Sequence, residues 1–150
     1  MHKTFYASGF IYHLPTQQIL LQQKQSTLIP ASPWILFEKE HAETKNPEEV
    51  FKKTFSKLLN SNLNNLNKIY SYTQDHLKNY SLFYATIDQL KEFSPKNGYV
   101  FKWFSFKEIV RLKTNQQTKH DIMIGQRVID ALSRDNSESL QKMIVDAVSE

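Results

Sequence analysis

The first part of the chain alternates apolar with polar positions, a pattern that is typical of β-strands. It predicts strands over Thr4–His13 and 19–24, and the turn between them contains Pro15. The chain is therefore expected to open with a β-hairpin. A short apolar run at 34–37 predicts a buried strand, and the charged, aperiodic stretch 38–45 predicts a loop.

A helix is predicted to begin at Asn46-Pro47. Asparagine caps free helical amides, proline suits the first helical position, and Glu48 and Glu49 complement the helix dipole. The helix is expected to end near Asn60, where an Asn/Ser-rich run begins. Its apolar residues form one stripe at helical spacing: Val50, Phe51, Phe55, Leu58 and Leu59.

The second half of the chain predicts three more strands and then helices. The strands are expected over 68–76, 80–87 and 99–104, with a turn at Lys78-Asn79 between the first two. Ser105 is expected to cap a short helix through Leu112, and longer helices are predicted over 119–133 and 137–148. This order of elements predicts an α/β protein with a mixed sheet.

Composition narrows the class of protein. The 150 residues, 40% of them hydrophobic, are enough for a single domain with a buried core, and the absence of cysteine excludes disulfides and thiolate chemistry. No signal peptide and no run long enough to span a membrane is found, so we expect a cytoplasmic protein. The net charge is +4, and residues 96–119 hold six bases against one acid, which favours a nucleotide or nucleic acid as partner.

Several motifs, taken in order, resemble those of the Nudix hydrolases. They are ILLQQK at 19–24, WIL at 34–36, NPEEV at 46–50, FYATI at 83–87 and KWFSFKEI at 102–109. The resemblance implies a Nudix-like α/β/α sandwich with a curved mixed sheet. It covers a core of about 4–133, with 134–150 as an extra C-terminal helix.

The catalytic box of that family, G-x5-E-x7-R-E-U-x-E-E-x-G-U with U a bulky aliphatic residue, is almost entirely replaced. Aligned without gaps, its first glycine falls at Lys39 and its loop glutamate at Lys45. The metal-binding glutamates of its helix fall at Thr54, Lys57 and Leu58, and its arginine falls at Lys53. Magnesium requires oxygen ligands, so the resemblance implies that ordinary Nudix hydrolysis is lost.

Three hypotheses about function remain open. The first is a non-catalytic module that binds a nucleotide-type ligand, a nucleic acid or a protein. The second is a divergent hydrolase of nucleoside diphosphate derivatives that uses Mg²⁺ or Mn²⁺, whereas the other two need no cofactor. The third is a homodimeric interaction module without a ligand.

Each hypothesis about a ligand has its own candidate residues. For a divergent hydrolase, the displaced catalytic carboxylates are Glu38, Glu40 and Glu43. For a binding module, ammonium groups are expected to meet phosphate directly, rather than through a metal. The candidate ligand-binding residues are Lys39, His41, Lys45, Lys53 and Lys57.

Two other groups of residues are weaker candidates. His120 and Asp121 are neighbours that suit an acid–base pair, although both are ordinary at the start of a helix. Aromatic residues alternate along the two strands predicted over 68–87, where they suit either core packing or stacking on a base.

Overall fold

A computed structural model describes residues 2–26 and 31–148, with side chains described as far as Arg134. Residues 149 and 150, which the prediction assigned to the C-terminal helix, lie outside the described residues. The elements in chain order are β1 (Thr4–His13), β2 (Gln18–Lys24), β3 (Trp34–Ile35), β4 (Phe37–His41), α1 (Pro47–Leu59), β5 (Asn65–Gln74), β6 (Lys78–Thr86), β7 (Tyr99–Ser105), α2 (Phe106–Ile109) and α3 (Gln116–Val148).

The strands form one mixed sheet with helices on both faces. Its central order is β3-β2-β1-β6-β5, while β4 pairs with β1 and β7 pairs with β2. The β1–β6 pairing is parallel and the others are antiparallel. Alternate residues of β1 enter two separate cores, since Ala7 and Ile11 pack toward α1 whereas Phe10 and Tyr12 pack toward α3. The expected α/β/α architecture is confirmed.

Helix α1 has the predicted bounds and buries the predicted stripe. The Asn46 side chain accepts hydrogen bonds from the amides of Glu48 and Glu49, and Asn60 ends the helix in the left-handed region. Three residues of the stripe are buried, namely Phe51, Phe55 and Leu59. Val50 and Leu58 pack against the same core while remaining partly exposed.

The loop predicted over 38–45 is partly wrong, because Phe37–His41 forms strand β4. Its partner is the first half of β1, with Ala7 opposite Lys39 and Gly9 opposite Phe37. Among its five residues, Phe37 is the one that is buried. A strand with so many charged residues has no apolar periodicity to reveal it, and its pairing with a distant segment produces it.

Strand β5 begins earlier than predicted, at Asn65 within the Asn-rich run, and β6 begins at Lys78. The turn occupies residues 75–77, and its Asp75 and His76, with positive φ angles of 54° and 60°, lie three residues before the predicted Lys78-Asn79. Asparagine and glutamine are tolerated in β5 because it is the terminal strand of this sheet path and none of its residues is buried.

The helices after β7 differ from the prediction in length. Helix α2 is only one turn long and begins with the predicted Ser105 cap, which forms a capping box with Glu108. The two helices predicted over 119–133 and 137–148 are one continuous helix, α3. Ile122 and Ile129 are buried as expected, whereas Leu132 is exposed. Among the described residues, no helix is both long and apolar enough to cross a membrane.

Candidate functional site

Two lysine side chains of α1, those of Lys53 and Lys57, line a surface pocket between α1, β4 and the turn that precedes β7. Burial of Phe51, Phe55 and Leu59 fixes the rotation of the helix, and this leaves Lys53 and Lys57 exposed. The pocket has a volume of about 650 Å³. We call it the lysine pocket, and its lining residues are Gln22, Glu38, Lys39, Lys53, Thr54, Phe55, Lys57, Leu58, Lys96, Asn97 and Tyr99.

A tight turn over residues 96–99 forms one wall of the lysine pocket. Backbone hydrogen bonds of 3.0 Å join Lys96 and Tyr99 in both directions. Asn97 and Gly98 occupy the centre of the turn with φ angles of 54° and 81°, a conformation that an Asn-Gly pair adopts readily. The Lys96 ammonium donates to the backbone carbonyl of Lys57 at 3.3 Å, so it lies at the C-terminal end of α1.

Four lysines and one glutamate therefore line this pocket. Lys39, Lys53 and Lys57 were predicted as ligand-binding residues, whereas Lys96 and Tyr99, which line the same pocket, were not among the predicted residues. The Asn-Gly pair at 97–98 is a turn signal in the sequence, but nothing local indicates that the turn faces α1.

The remaining predicted site residues lie elsewhere. Glu40, His41 and Glu43 line a second cavity of about 830 Å³ beside the N-terminal residues, and Lys39 lies between this cavity and the lysine pocket. The His41 ring is 6.2 Å from that of Phe5, and its Nδ1 is 2.8 Å from the Ala42 carbonyl oxygen. Lys45 is exposed in the loop before α1 and lines neither cavity.

Glu38 connects the lysine pocket to a small cavity of about 90 Å³ on the α3 side of the sheet. Burial is the largest influence on its carboxyl and raises its pKa. Asp121, which lines the same small cavity, raises the pKa further, whereas Lys78 lowers it. Glu38 as a whole is exposed on β4, but the burial around its carboxyl group and the nearby Asp121 keep its pKa above the ordinary value.

Comparison with solved structures gives the class of fold. The C-terminal domain of mouse MUTYH, solved in complex with human PCNA, has a TM-score of 0.66 at 10% identity, over 86% of this chain and 91% of that one. A mutT/nudix family protein from Listeria innocua has a TM-score of 0.66 at 12% identity, over 90% and 97% of the two chains. The NUDIX domain of Shewanella oneidensis NrtR, solved with ADP ribose, has a TM-score of 0.63 at 13% identity, over 86% and 88%.

The chain has the Nudix fold. No protein-family model and no curated protein matches the sequence, so the likeness is one of backbone architecture.

The Nudix resemblance places metal-binding glutamates at three positions of α1, and all three line the lysine pocket. These positions are occupied by Thr54, Lys57 and Leu58. A hydroxyl, an ammonium and a hydrocarbon do not make a divalent-cation site, because Mg²⁺ is bound by carboxylates together with phosphate oxygens. The residues present at this position therefore do not fit the metal of the Nudix hydrolases.

A second polar cluster, on the opposite face of the sheet, surrounds Asp121. This carboxylate is 1% exposed and accepts hydrogen bonds from the hydroxyls of Tyr70 at 2.8 Å and Tyr72 at 3.1 Å. Burial raises the pKa of Asp121, and the two hydrogen bonds oppose that shift. His120 Nδ1 is 3.6 Å from the Asp121 carboxylate, farther than either tyrosine hydroxyl, and the His120 side chain is exposed. The tyrosines are therefore the closer partners.

The tyrosine rings of this cluster stack on one another. Tyr6, Tyr80, Tyr72 and Tyr70 form a row across β1, β6 and β5, with ring centroids 4.9 to 5.1 Å apart. Burial is the largest cause of the raised pKa of Tyr70 and Tyr72, to which Asp121 also contributes. The alternating aromatic residues of the sequence thus form cross-strand packing, in which the rings contact each other.

Proposed function

We propose that this protein is a non-catalytic Nudix-fold module that binds a nucleotide-type ligand, with the phosphates in the lysine pocket. One observation carries the proposal: Thr54, Lys57 and Leu58 line this pocket at the positions where the resemblance requires glutamates. The pocket keeps its place in the fold while its chemistry is reversed, from groups that attract cations to groups that attract anions.

Electrostatics favours an anion over a divalent metal in this pocket. Unit charges about 4 Å apart interact by about 4 kcal/mol at an effective dielectric constant near 20, and by about 1 kcal/mol in water. Four lysines surround this volume, and Glu38 is the one acid lining it. An approaching phosphate is therefore attracted, whereas Mg²⁺ is repelled.

The similar NUDIX domain of NrtR was solved with ADP ribose, a nucleotide with two linked phosphates. This supports a ligand of the same general class for the present chain. The volume of about 650 Å³ is within the range of small-molecule sites.

The alternative is a divergent hydrolase, in which Glu38 would have to serve as the displaced catalytic carboxylate. Of the three displaced candidates, Glu38 lines the lysine pocket, whereas Glu40 and Glu43 line the neighbouring cavity. Within the part of the chain that the structure describes, no group of three or more histidine, aspartate or glutamate side chains is placed to hold a metal ion.

Two assays on the same preparation test this proposal. The first measures product release from nucleoside triphosphates, nucleotide sugars, dinucleoside polyphosphates and capped RNA, with Mg²⁺ or Mn²⁺ or with chelator. The second measures thermal stabilisation by the same compounds. We expect stabilisation by at least one nucleotide without turnover, and Lys57→Glu should not create activity because Thr54 and Leu58 still supply no carboxylate.

Metal-dependent turnover near the ordinary enzyme median of about 10 per second would contradict the proposal. Loss of that turnover in Glu38→Gln would then support the divergent hydrolase. A protein that neither hydrolyses nor is stabilised by any of these compounds would also contradict nucleotide binding.

A further inference from the structure

We infer that the lysine pocket binds a chain of three or more phosphates as the metal-free anion, in preference to its magnesium complex. This inference rests on the proposed function, because it concerns the same pocket. Beyond that function, it specifies the length of the bound phosphate chain and states that no cation bridges the chain to the protein.

The number and arrangement of the lysines support a long phosphate chain. Lys53 and Lys57 are four residues apart and so project from neighbouring turns on one side of α1. Lys39 reaches the pocket from β4, and Lys96 reaches it from the turn at 96–99. Lysines that line one open pocket from three elements suit an extended anion with several charged groups.

The charge of the pocket also matches that of a chain of phosphates. A terminal phosphate carries about −1.5 to −2 charges near neutral pH, and each further phosphate in a chain adds to this. A chain of three therefore carries about as many charges as the pocket has lysines, whereas the charge of a single phosphate balances only about half of them. Glu38 is the one acid that borders the pocket, so its negative charge offsets one of the four lysines.

Lys96 provides a positively charged group from a part of the chain outside α1 and β4. Its ammonium is held by one hydrogen bond to the Lys57 carbonyl, at 3.3 Å and in an exposed position. An exposed bond of this kind contributes little to stability, so a phosphate can replace the carbonyl as its acceptor. The tight turn at 96–99 keeps the base of this side chain beside the pocket in either case.

Magnesium is expected to compete with the pocket for the ligand. A bound divalent cation cancels two charges of the phosphate chain and occupies oxygens that the lysines would contact. In Nudix hydrolases the metal bridges phosphate and carboxylates, but here Lys57 and Leu58 offer the bridging metal no ligand. Magnesium should therefore weaken the binding of the phosphate chain here, whereas in Nudix hydrolases it joins the phosphates to the protein.

The test measures binding affinity by isothermal titration calorimetry. The ligands are inorganic tripolyphosphate, diphosphate and phosphate, together with ATP and GTP. Each is titrated once with chelator and once with excess Mg²⁺. We expect tripolyphosphate to bind at least about tenfold more tightly than phosphate, and excess Mg²⁺ to weaken its binding. Lys53→Gln, Lys57→Gln and Lys96→Gln should each weaken binding about fivefold, the effect of losing roughly one water-screened charge pair. Tighter binding of ATP or GTP than of tripolyphosphate would show that the base adds contacts to the shared triphosphate.

Lys52→Gln is the matched control, because Lys52 is an exposed lysine of the same helix that does not line the pocket. An equal loss of affinity in this variant would overturn the inference in favour of diffuse attraction to a basic surface. Stronger binding in the presence of Mg²⁺ would also overturn it. If nucleotides bind while tripolyphosphate does not, the inference fails and the proposed function survives; if no phosphate compound binds, both fail.

Discussion

Phe55 is the residue through which the orientation of α1, and therefore the position of the lysine pocket, can be tested most directly. Its side chain is 3% exposed and lies between two other aromatic rings. The ring centroids are 5.1 Å from Phe37 of β4 and 4.8 Å from Phe51 of the preceding helical turn. Replacement by alanine removes both aromatic contacts and leaves a cavity beneath the helix.

The expected loss of stability follows from this burial. Truncation of a buried phenylalanine costs about 3 to 5 kcal/mol, which includes the lost transfer energy and the cavity. A domain of this size has a total stability of about 5 to 15 kcal/mol, so Phe55→Ala removes a large fraction of it. For about 150 residues, each kcal/mol lowers Tm by about 2 to 4 °C, and the expected decrease is therefore about 6 to 20 °C.

The assay is urea denaturation followed by far-UV circular dichroism, with Val110→Ala as the control. Val110 is 74% exposed, and its truncation should change stability by less than about 0.5 kcal/mol. A Phe55→Ala loss below about 1 kcal/mol would refute the packing of this stripe, since a buried ring cannot be removed so cheaply. The rotation of α1 that directs Lys53 and Lys57 to the pocket would then be wrong as well.

Three further predictions concern the scaffold. Gly9→Ala should strongly destabilise or unfold the protein, because the Cβ of the new alanine would lie 1.9 Å from the Phe83 carbonyl oxygen. An unchanged urea midpoint would contradict this close approach of the strands. Asn46→Ala should lower the free energy of unfolding by about 1 kcal/mol, because the Asn46 side chain accepts a 2.9 Å hydrogen bond from the Glu48 amide. A variant as stable as the original protein would show that the cap is dispensable. Burial raises the pKa of Asp121 in the folded protein, so the free energy of unfolding should decrease as pH rises from below the ordinary aspartate value through the raised one. Asp121→Asn should lack this decrease, and parallel pH profiles for the two proteins would contradict it.

Local sequence determined those elements whose signals lie within a few residues of one another. The Asn46-Pro47 start, the Phe51-Phe55-Leu59 stripe and the Asn60 end specify α1 without reference to the rest of the chain. Strand β1 has its predicted bounds, and the Ser105 cap of α2 was likewise predicted from neighbouring residues. The alignment of the box onto Thr54, Lys57 and Leu58 depends on spacing along one helix, and it stays a prediction from the resemblance.

The tertiary structure decided what depends on segments that are distant in the chain. Charged residues at 38–41 form a strand because β1 provides hydrogen-bonding partners for their backbone, and this pairing separates Glu38 from Glu40 and His41 in two cavities. Lys96 enters the lysine pocket because a turn almost forty residues after α1 folds against the end of that helix. Likewise, Asp121 acquires two tyrosine partners from a strand about fifty residues earlier. Such contacts join segments that are far apart in the chain, so no periodic pattern within either segment reveals them.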